Sequence, residues 1–268
     1  MVDIRQTHEY ANYLSHVGWI IERPAEINYF IKKIPILGSV LKVQRPEELR
    51  NEKIRELGKR YRAFQTIIEP KTELDANYLT SIGFKLSKSP YLPTKTLQID
   101  LTQSKQQIFR NLKKDSKQAL HKTKNLGTTQ TADLEEFRNL WKKAVGVKRY
   151  VPPATHLEAL RKSFRNKSCF LLSDDKSAGA IFLMGDKITY YWQAFTNKEG
   201  RRSLAQYKIV WEGILWAKER GAKVFDFEGI YDERFPNKSW QGFTHFKKSF
   251  GGYEVLYPGC MIKTRIPL

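Results

Sequence analysis

The stretch Lys223–Gly252, KVFDFEGIYDERFPNKSWQGFTHFKKSFGG, restricts the possible folds more than any other part of the chain. It opens with Val224-Phe225-Asp226-Phe227, an apolar run holding one carboxylate, directly behind an amphipathic helix that stops at Gly221. A short apolar run in that position predicts a central strand buried on both faces. The strand ends at Glu228-Gly229, and a loop with Asp232, Glu233, Arg234 and Pro236 follows. Trp240, Phe243, Phe246, Lys247 and Phe250 then recur at helical spacing until Gly251-Gly252 stops the helix. Strand, acidic loop and lysine-bearing helix describe an α/β unit with a cleft at the strand end. A lysine on such a helix face is ordinarily solvated.

The rest of the chain supplies the elements around that unit. Residues 10–16 predict a short helix, and 27–34 with 39–44 a strand pair turning at Pro35-Ile36-Leu37-Gly38. From Pro46 a charged helix carries Leu49, Ile54 and Leu57 near one face. Strand 63–68, helix 74–82 and strand 97–101 follow. After Gly127 the order begins again: strand 128–132, helices 134–145 and 157–164, strands 169–172, 180–184 and 188–194, and helix 205–220 ending at Gly221. Strands at 253–256 and 260–265 close the chain. RAFQTIIEP at 62–70 corresponds to AKVFDFEG at 222–229, each behind an amphipathic helix. The fold class is therefore α/β with mixed sheets, in two units that repeat one element order: residues 1–125 and 126–268. The second unit's order is similar to the GNAT acyltransferase fold.

Charge separates partner classes. The formal net charge of +19 exceeds what solubility needs and predicts a polyanionic partner or an anionic membrane surface. Residues 105–124 hold seven Lys or Arg against one acid, Asp115, with Ser104 and Gln107 as a capping box and Ile108, Phe109 and Leu112 as the apolar stripe. They predict one basic connector helix over 104–125, on which Lys113, Lys114, Lys117, Lys122 and Lys124 are candidate phosphate contacts. Two cysteines, Cys169 and Cys260, are too few for a disulfide framework or a metal site, and reduced thiols in a cytoplasmic protein are expected. No run reaches the roughly 18 apolar residues of a membrane span, and no leader is evident. There is no GxSxG, P-loop or GxGxxG, and the five histidines stand in no catalytic pairing. The Phe195–Ser203 junction offers one glycine and two arginines, an imperfect match to the pyrophosphate loop of a CoA-binding GNAT enzyme.

Gly18-Trp19, PILGSVLKVQRP at 35–46, IIEP at 67–70, PTKTLQIDL at 93–101, YKIVWEGILWAKERGAK at 207–223, FDFEGI at 225–230 and GFTHFKKSFGG at 242–252 appear in that order. In this the chain resembles the FemABX family, aminoacyltransferases that build peptidoglycan side bridges from aminoacyl-tRNA. The resemblance implies two tandem GNAT-like domains, the first abbreviated, with a cleft for the peptidoglycan precursor and a second site for the tRNA 3′ end. It implies no cofactor and no metal, only aminoacyl-tRNA as co-substrate. An amine of a nucleotide-linked or lipid-linked precursor would attack the aminoacyl ester. Lys247 stands where the family places its charge-stabilising lysine, with Lys248 as the alternative one residue on, and the Phe246 carbonyl stands where the family orients the amine. A family arginine and tyrosine four apart align with Pro152 and His156, leaving Arg149 and Tyr150 nearby as substitutes. A family tyrosine aligns with Trp192, beside Tyr190 and Tyr191 in an aromatic run of a kind that more often packs in a core, and a lysine after the Gly-Trp pair is Ile21 here, with Arg23 near it. Asp226 and Glu228 are candidates to orient an amine or to bond backbone amides. The expected location is the cytoplasm, either free or peripheral at the inner face of the membrane. A GNAT N-acyltransferase using acyl-CoA and a non-catalytic RNA-binding protein stand as rival readings.

Overall fold

In the computed structural model, residues 1–147 and 149–265 are described. The first half runs α1 (His8–His16), β1 (Ile20–Glu22), β2 (Tyr29–Ile34), β3 (Gly38–Gln44), α2 (Asn51–Arg60), β4 (Ala63–Glu69), α3 (Glu73–Ser81), β5 (Lys85–Leu86) and β6 (Lys95–Asp100). The second runs α4 (Lys105–Asn111), α5 (Lys114–Lys122), β7 (Thr128–Gln130), α6 (Leu134–Val145), α7 (Ala154–Phe164), β8 (Ser168–Ser173), β9 (Ala178–Gly185), β10 (Ile188–Thr196), α8 (Lys198–Ser203), α9 (Ala205–Glu219), β11 (Val224–Gly229), α10 (Gln241–Lys248), β12 (Tyr253–Leu256) and β13 (Met261–Thr264).

Both halves use the same construction. An antiparallel pair (β2–β3; β9–β10) is followed by a helix (α2; α9) that returns the chain to add a parallel strand (β4; β11). Local chemistry fixes the helix ends. Thr72 and Asp133 accept from the third amide of α3 and α6, and Ser104 with Gln107 closes a full capping box on α4. Helix α9 lies close on β9 because Gly213 has no side chain: a Cβ there would fall 2.2 Å from the Phe182 ring.

The sheets do not divide the chain at residue 125. The strand order is β1-β2-β3-β4-β13-β5 in one sheet and β12-β6-β11-β10-β9-β8-β7 in the other. Each half therefore gives its last strand to the other lobe, β6 lying between β11 and β12, and β13 between β4 and β5. Helix α1 also crosses over, for Tyr10 packs in the second lobe's core with Phe137, Trp141 and Phe164. Among the described residues, three clusters fill the interior: one between α2, α3 and the first sheet, and one on each face of the second sheet.

The basic segment departs from expectation. It forms two helices, α4 and α5, broken at Leu112, whose backbone is extended. Leu112 is buried in the core and the Lys113 amide donates to the Ser249 carbonyl at 2.8 Å, so tertiary partners outweigh helix continuity. It follows β6, already part of the second sheet, and so connects nothing between lobes. Cys169 and Cys260 are free and buried.

Candidate active site

The C-terminal end of β11 is irregular. Asp226 lies opposite Gln98 and the next pair is Gly229 with Thr96, so β11 carries one residue more than β6 across this step, a β-bulge. Glu228 takes the strain, with φ at 60° in the left-handed region, which costs a non-glycine residue roughly 1–2 kcal/mol. Its amide donates to Asp226 Oδ1 at 2.6 Å. On either side of Glu228, the carbonyls of Phe227 and Gly229 both accept from Lys247 Nζ, at 2.7 and 2.6 Å. Lys247 is only 9% exposed. Burial pulls its ammonium down to about 8, against the opposing charges of Glu228 and Asp226 and with some help from Arg149.

β10 and β11 pair only as far as Tyr190 opposite Asp226, although β10 continues to Thr196 and β11 to Gly229. The corresponding strands of the first lobe, β3 and β4, stay paired from Ser39–Ala63 to Gln44–Glu69. The second lobe thus contains a wedge between parting parallel strands. Lys247 Nζ lies there, 6.0 Å from the Tyr191 ring centre and 4.9 Å from that of Phe243. The Tyr191 hydroxyl accepts from Gln206 Nε2 at 2.8 Å. Gln206 Oε1 is buried, and among the described residues nothing donates to it. Arg149 braces β10, donating to the Ala194 carbonyl and to Gln193 Oε1. An ammonium can meet a developing oxyanion, the amide oxygen can receive an N–H, and a guanidinium lies close by; together these groups can serve acyl transfer to an amine.

The other face of β10 and β11 is closed by the start of the chain. Asp3, Ile4, Arg5, Gln6 and Thr7 are all buried. Arg5 Nη2 donates to Glu228 Oε1 at 2.8 Å and Arg5 Nη1 pairs with Asp3 at 3.3 Å, while its guanidinium carbon lies 5.2 Å from the Trp192 ring centre and 5.8 Å from that of Tyr190. From the first lobe, Arg45 pairs with Asp3 at 3.1 Å and lies 3.6 Å over the Tyr257 ring. Asp226 accepts from Gln98 Nε2 at 2.8 Å, and its carboxyl is pushed up to about 6 by burial and then by the charge of Glu228. This is an ionic seam between the lobes.

The expected site residues therefore separate. Lys247 and Arg149 reach the wedge. Tyr190, Trp192, Asp226 and Glu228 face the seam, where Tyr190 accepts from the Ile4 amide at 3.2 Å. Arg23 lies one bond further out, donating to Asn28, which in turn holds the carbonyls of Arg5 and Thr7. Tyr150 is exposed and His156 is half-buried in the first turn of α7; among the described residues, no hydrogen bond joins either side chain to Lys247. The Phe246 carbonyl, expected to orient an amine, is taken by the Ser249 hydroxyl at 2.6 Å and the Ser249 amide at 3.2 Å. Lys113, Lys114, Lys122 and Lys124 are exposed, whereas Lys117 Nζ donates to the Arg110 carbonyl at the end of α4. These lysines belong to or flank α5, which is docked on α10 by the Ser116–Ser249 hydroxyl pair at 2.6 Å and by Asp115 with His245 at 3.1 Å. Arg5, Arg45 and Gln206 carry no signal in the sequence, and Tyr191 is noted there only as part of the aromatic run beside Trp192, although strand alternation sets it opposite in facing to Tyr190 and Trp192. Among the described residues, no group of three or more His, Cys, Asp or Glu could hold a metal ion. No helix among them is long and apolar enough to cross a membrane.

Residues 154–267, which include Lys247, match the model of the FemAB family. Among solved structures, a crystal structure of FemX is similar over 98% of this chain and 92% of its own, at 14% identity and a TM-score of 0.81. The C-terminal domain of a putative lysylphosphatidylglycerol synthetase from Agrobacterium fabrum is similar over 98% and 89%, at 11% identity and a TM-score of 0.66. A tandem GNAT protein from the clavulanic acid biosynthesis pathway is similar over 97% and 94%, at 10% identity and a TM-score of 0.51. These structural likenesses concern the fold, which is that of two tandem GNAT-like lobes. No curated protein matches the chain at a significant level. The second lobe thus carries the FemAB sequence pattern, and the chain has a fold similar to that of FemX across its length.

Proposed function

We propose that the protein is an aminoacyltransferase that moves an amino acid from aminoacyl-tRNA to an amine of a peptidoglycan precursor peptide. The observation that carries this reading is Lys247, a buried ammonium held by two backbone carbonyls at the mouth of the β10–β11 wedge. The acceptor nitrogen attacks the ester carbonyl and the carbonyl oxygen becomes an oxyanion. Collapse of this intermediate forms the amide and breaks the bond to the ribose oxygen, which takes up the proton released by the nitrogen. Aminoacyl esters are already activated, so the protein's work is positioning and charge stabilisation. The Lys247 ammonium supplies the charge, and the free Gln206 Oε1 receives an N–H of the incoming amine.

An acyl-CoA donor is less well served. The stretch that would form a pyrophosphate loop is folded into α8, where the Gly200 amide donates to Asn197 Oδ1 at 2.8 Å and the Arg201 amide to the Asn197 carbonyl at 3.2 Å. Those amides have no free N–H for a phosphate. The test is transfer of a radiolabelled amino acid from charged tRNA to nucleotide-linked and lipid-linked precursors, with K247M alongside. Label should reach a precursor with wild type and fail with K247M while RNA binding is kept. Transfer only from acetyl-CoA would refute the donor, and tight RNA binding without any transfer would refute the enzyme.

A further inference from the structure

The turn between β2 and β3 is strained and carries an apolar tip. The Leu37 amide donates to the Pro35 carbonyl at 2.8 Å, and Ile36 between them has φ at 70°. A hydrogen bond across one residue of positive φ is the rare and strained form of γ-turn, and a β-branched residue suits it least. No packing offsets that strain. The Ile36 side chain is 103% exposed, Leu37 next to it 52%, and Pro35 is exposed as well. Single apolar residues are ordinary on a surface, whereas three in succession at a projecting hairpin tip mark a contact.

The base of the turn is rigid and basic. Gly38 lies so close to the loop between α2 and β4 that a Cβ there would fall 2.3 Å from the Arg62 carbonyl oxygen. The Ser39 amide donates to that carbonyl at 3.2 Å, and Ser39 Oγ donates to the Tyr61 carbonyl at 2.8 Å. The Arg62 amide donates in turn to the Lys59 carbonyl at 3.1 Å, so the backbone of residues 59–62 is fixed beside the tip. Lys33 stands on β2 directly opposite Ser39. Lys33, Lys59 and Arg62 are exposed, and among the described residues none of them forms a salt bridge, whereas their neighbour Arg60 is paired with Glu22 and Glu56.

An aliphatic tip inside a basic rim matches hydrocarbon lying beneath a layer of anionic headgroups. RNA, which the charge would also attract, is held by stacking its bases on rings, and Ile36 and Leu37 have none to offer. A second copy of the chain would bring two basic rims together in a protein of formal charge +19. We propose that the β2–β3 tip docks on an anionic phospholipid bilayer, Ile36 and Leu37 entering the interface while Lys33, Lys59 and Arg62 meet lipid phosphates. Docking is independent of the transfer chemistry. The seven residues of β3 set the tip about 20 Å from Arg45 at the seam, so the side chains altered below lie outside the groups that hold Lys247.

Co-sedimentation of the whole protein with vesicles tests this, the vesicles being phosphatidylcholine alone or in equal parts with phosphatidylglycerol. Wild type should bind the anionic vesicles far better than the neutral ones and should lose most of that binding as salt is raised. I36G/L37S removes the apolar tip, and it keeps the fold because glycine takes a positive φ freely and relaxes the turn. Its affinity for anionic vesicles should fall by at least about 10-fold. K33Q/K59Q/R62Q should lower affinity about 100-fold at low salt, about fivefold for each charge removed. The proposal is overturned if wild type stays in solution with anionic vesicles, if neutral vesicles bind it equally, or if either variant binds as wild type does. Sedimentation velocity without lipid covers the remaining case: a wild-type dimer that I36G/L37S dissociates would make the tip a contact between copies and overturn the proposal too.

Discussion

Replacing Arg5 with alanine should loosen the seam between the lobes by several kcal/mol. The Arg5 side chain is 3% exposed and that of Glu228 13%, and their N···O distance is 2.8 Å. In R5A, Asp3 keeps Arg45 as its partner, at 3.1 Å, so the group that loses its ion-pair partner is Glu228. Stripping one partner from a buried ion pair costs about 3–5 kcal/mol, since the remaining charge stays desolvated. The guanidinium's packing on Trp192 and Tyr190 is lost in the same direction. For a chain of this size each kcal/mol moves the melting temperature by about 2–4 °C, so R5A should melt about 10 °C below wild type. Adding E228Q removes the orphaned charge, and the double variant should recover about 1.5–3 kcal/mol relative to the sum of the single changes. Urea unfolding followed by circular dichroism, with all four proteins of the cycle, reads both quantities. An R5A within about 1 kcal/mol of wild type, or strictly additive costs, would show that Arg5 does not hold Glu228 in the bulge.

Three further outcomes follow from the same geometry. Because burial brings Lys247 down to about 8, single-turnover transfer should fall as pH rises through that value; K247R, charged to beyond pH 12, should be slower but lose the fall, and a flat wild-type profile would rule the ammonium out. Gly213→Ala should destabilise: the helix gains about 1 kcal/mol of propensity, but a methyl group 2.2 Å from the Phe182 ring costs about 1–3 kcal/mol or more in overpacking, so chemical denaturation should show a net loss. E228Q should lower the Asp226 carboxyl from its raised position near 6, because one of the two effects holding it up is the neighbouring charge; ¹³C titration of the Asp226 carboxyl reads this, and an unmoved midpoint would assign the whole shift to burial.

Much of the architecture was legible because its elements obey simple periods. β11 reads as a buried strand from Val224-Phe225-Asp226-Phe227, and α10 from aromatic residues at helical spacing. The exchange of β6 and β13 was not legible, for both are ordinary short strands and nothing in a strand's own residues states which sheet receives it. The break at Leu112 carries no glycine or proline; it exists because Ser249, 136 positions further on than Lys113, accepts the Lys113 amide. At the site, Lys247 stood out only through the resemblance, since helix-face lysines are usually solvated. The Arg5–Glu228 pair joins residues 223 positions apart and left no local trace. Tyr190 and Trp192 were placed with the substrate, whereas the structure sets both against Arg5 on the seam face.

The two lobes show why a duplicated fold need not have duplicated sites. Glu69 and Glu228 end corresponding strands. β4 remains paired with β3 to its last residue, and Glu69 is buried there, its carboxyl raised by burial while it accepts from Gln44 and the Leu92 amide. That glutamate closes a strand end. β11 instead parts from β10 after Asp226 and bulges against β6, which turns Glu228 to the seam and leaves the Phe227 and Gly229 carbonyls to Lys247. The strand opposite the bulge, β6, is the first half's own, and the arginine that holds Glu228 comes from the first half as well. A second lobe made alone would lack both the ladder that defines the bulge and the charge that fixes it. The first half thus serves the site in the second as its frame, by lending it a strand and a counter-ion.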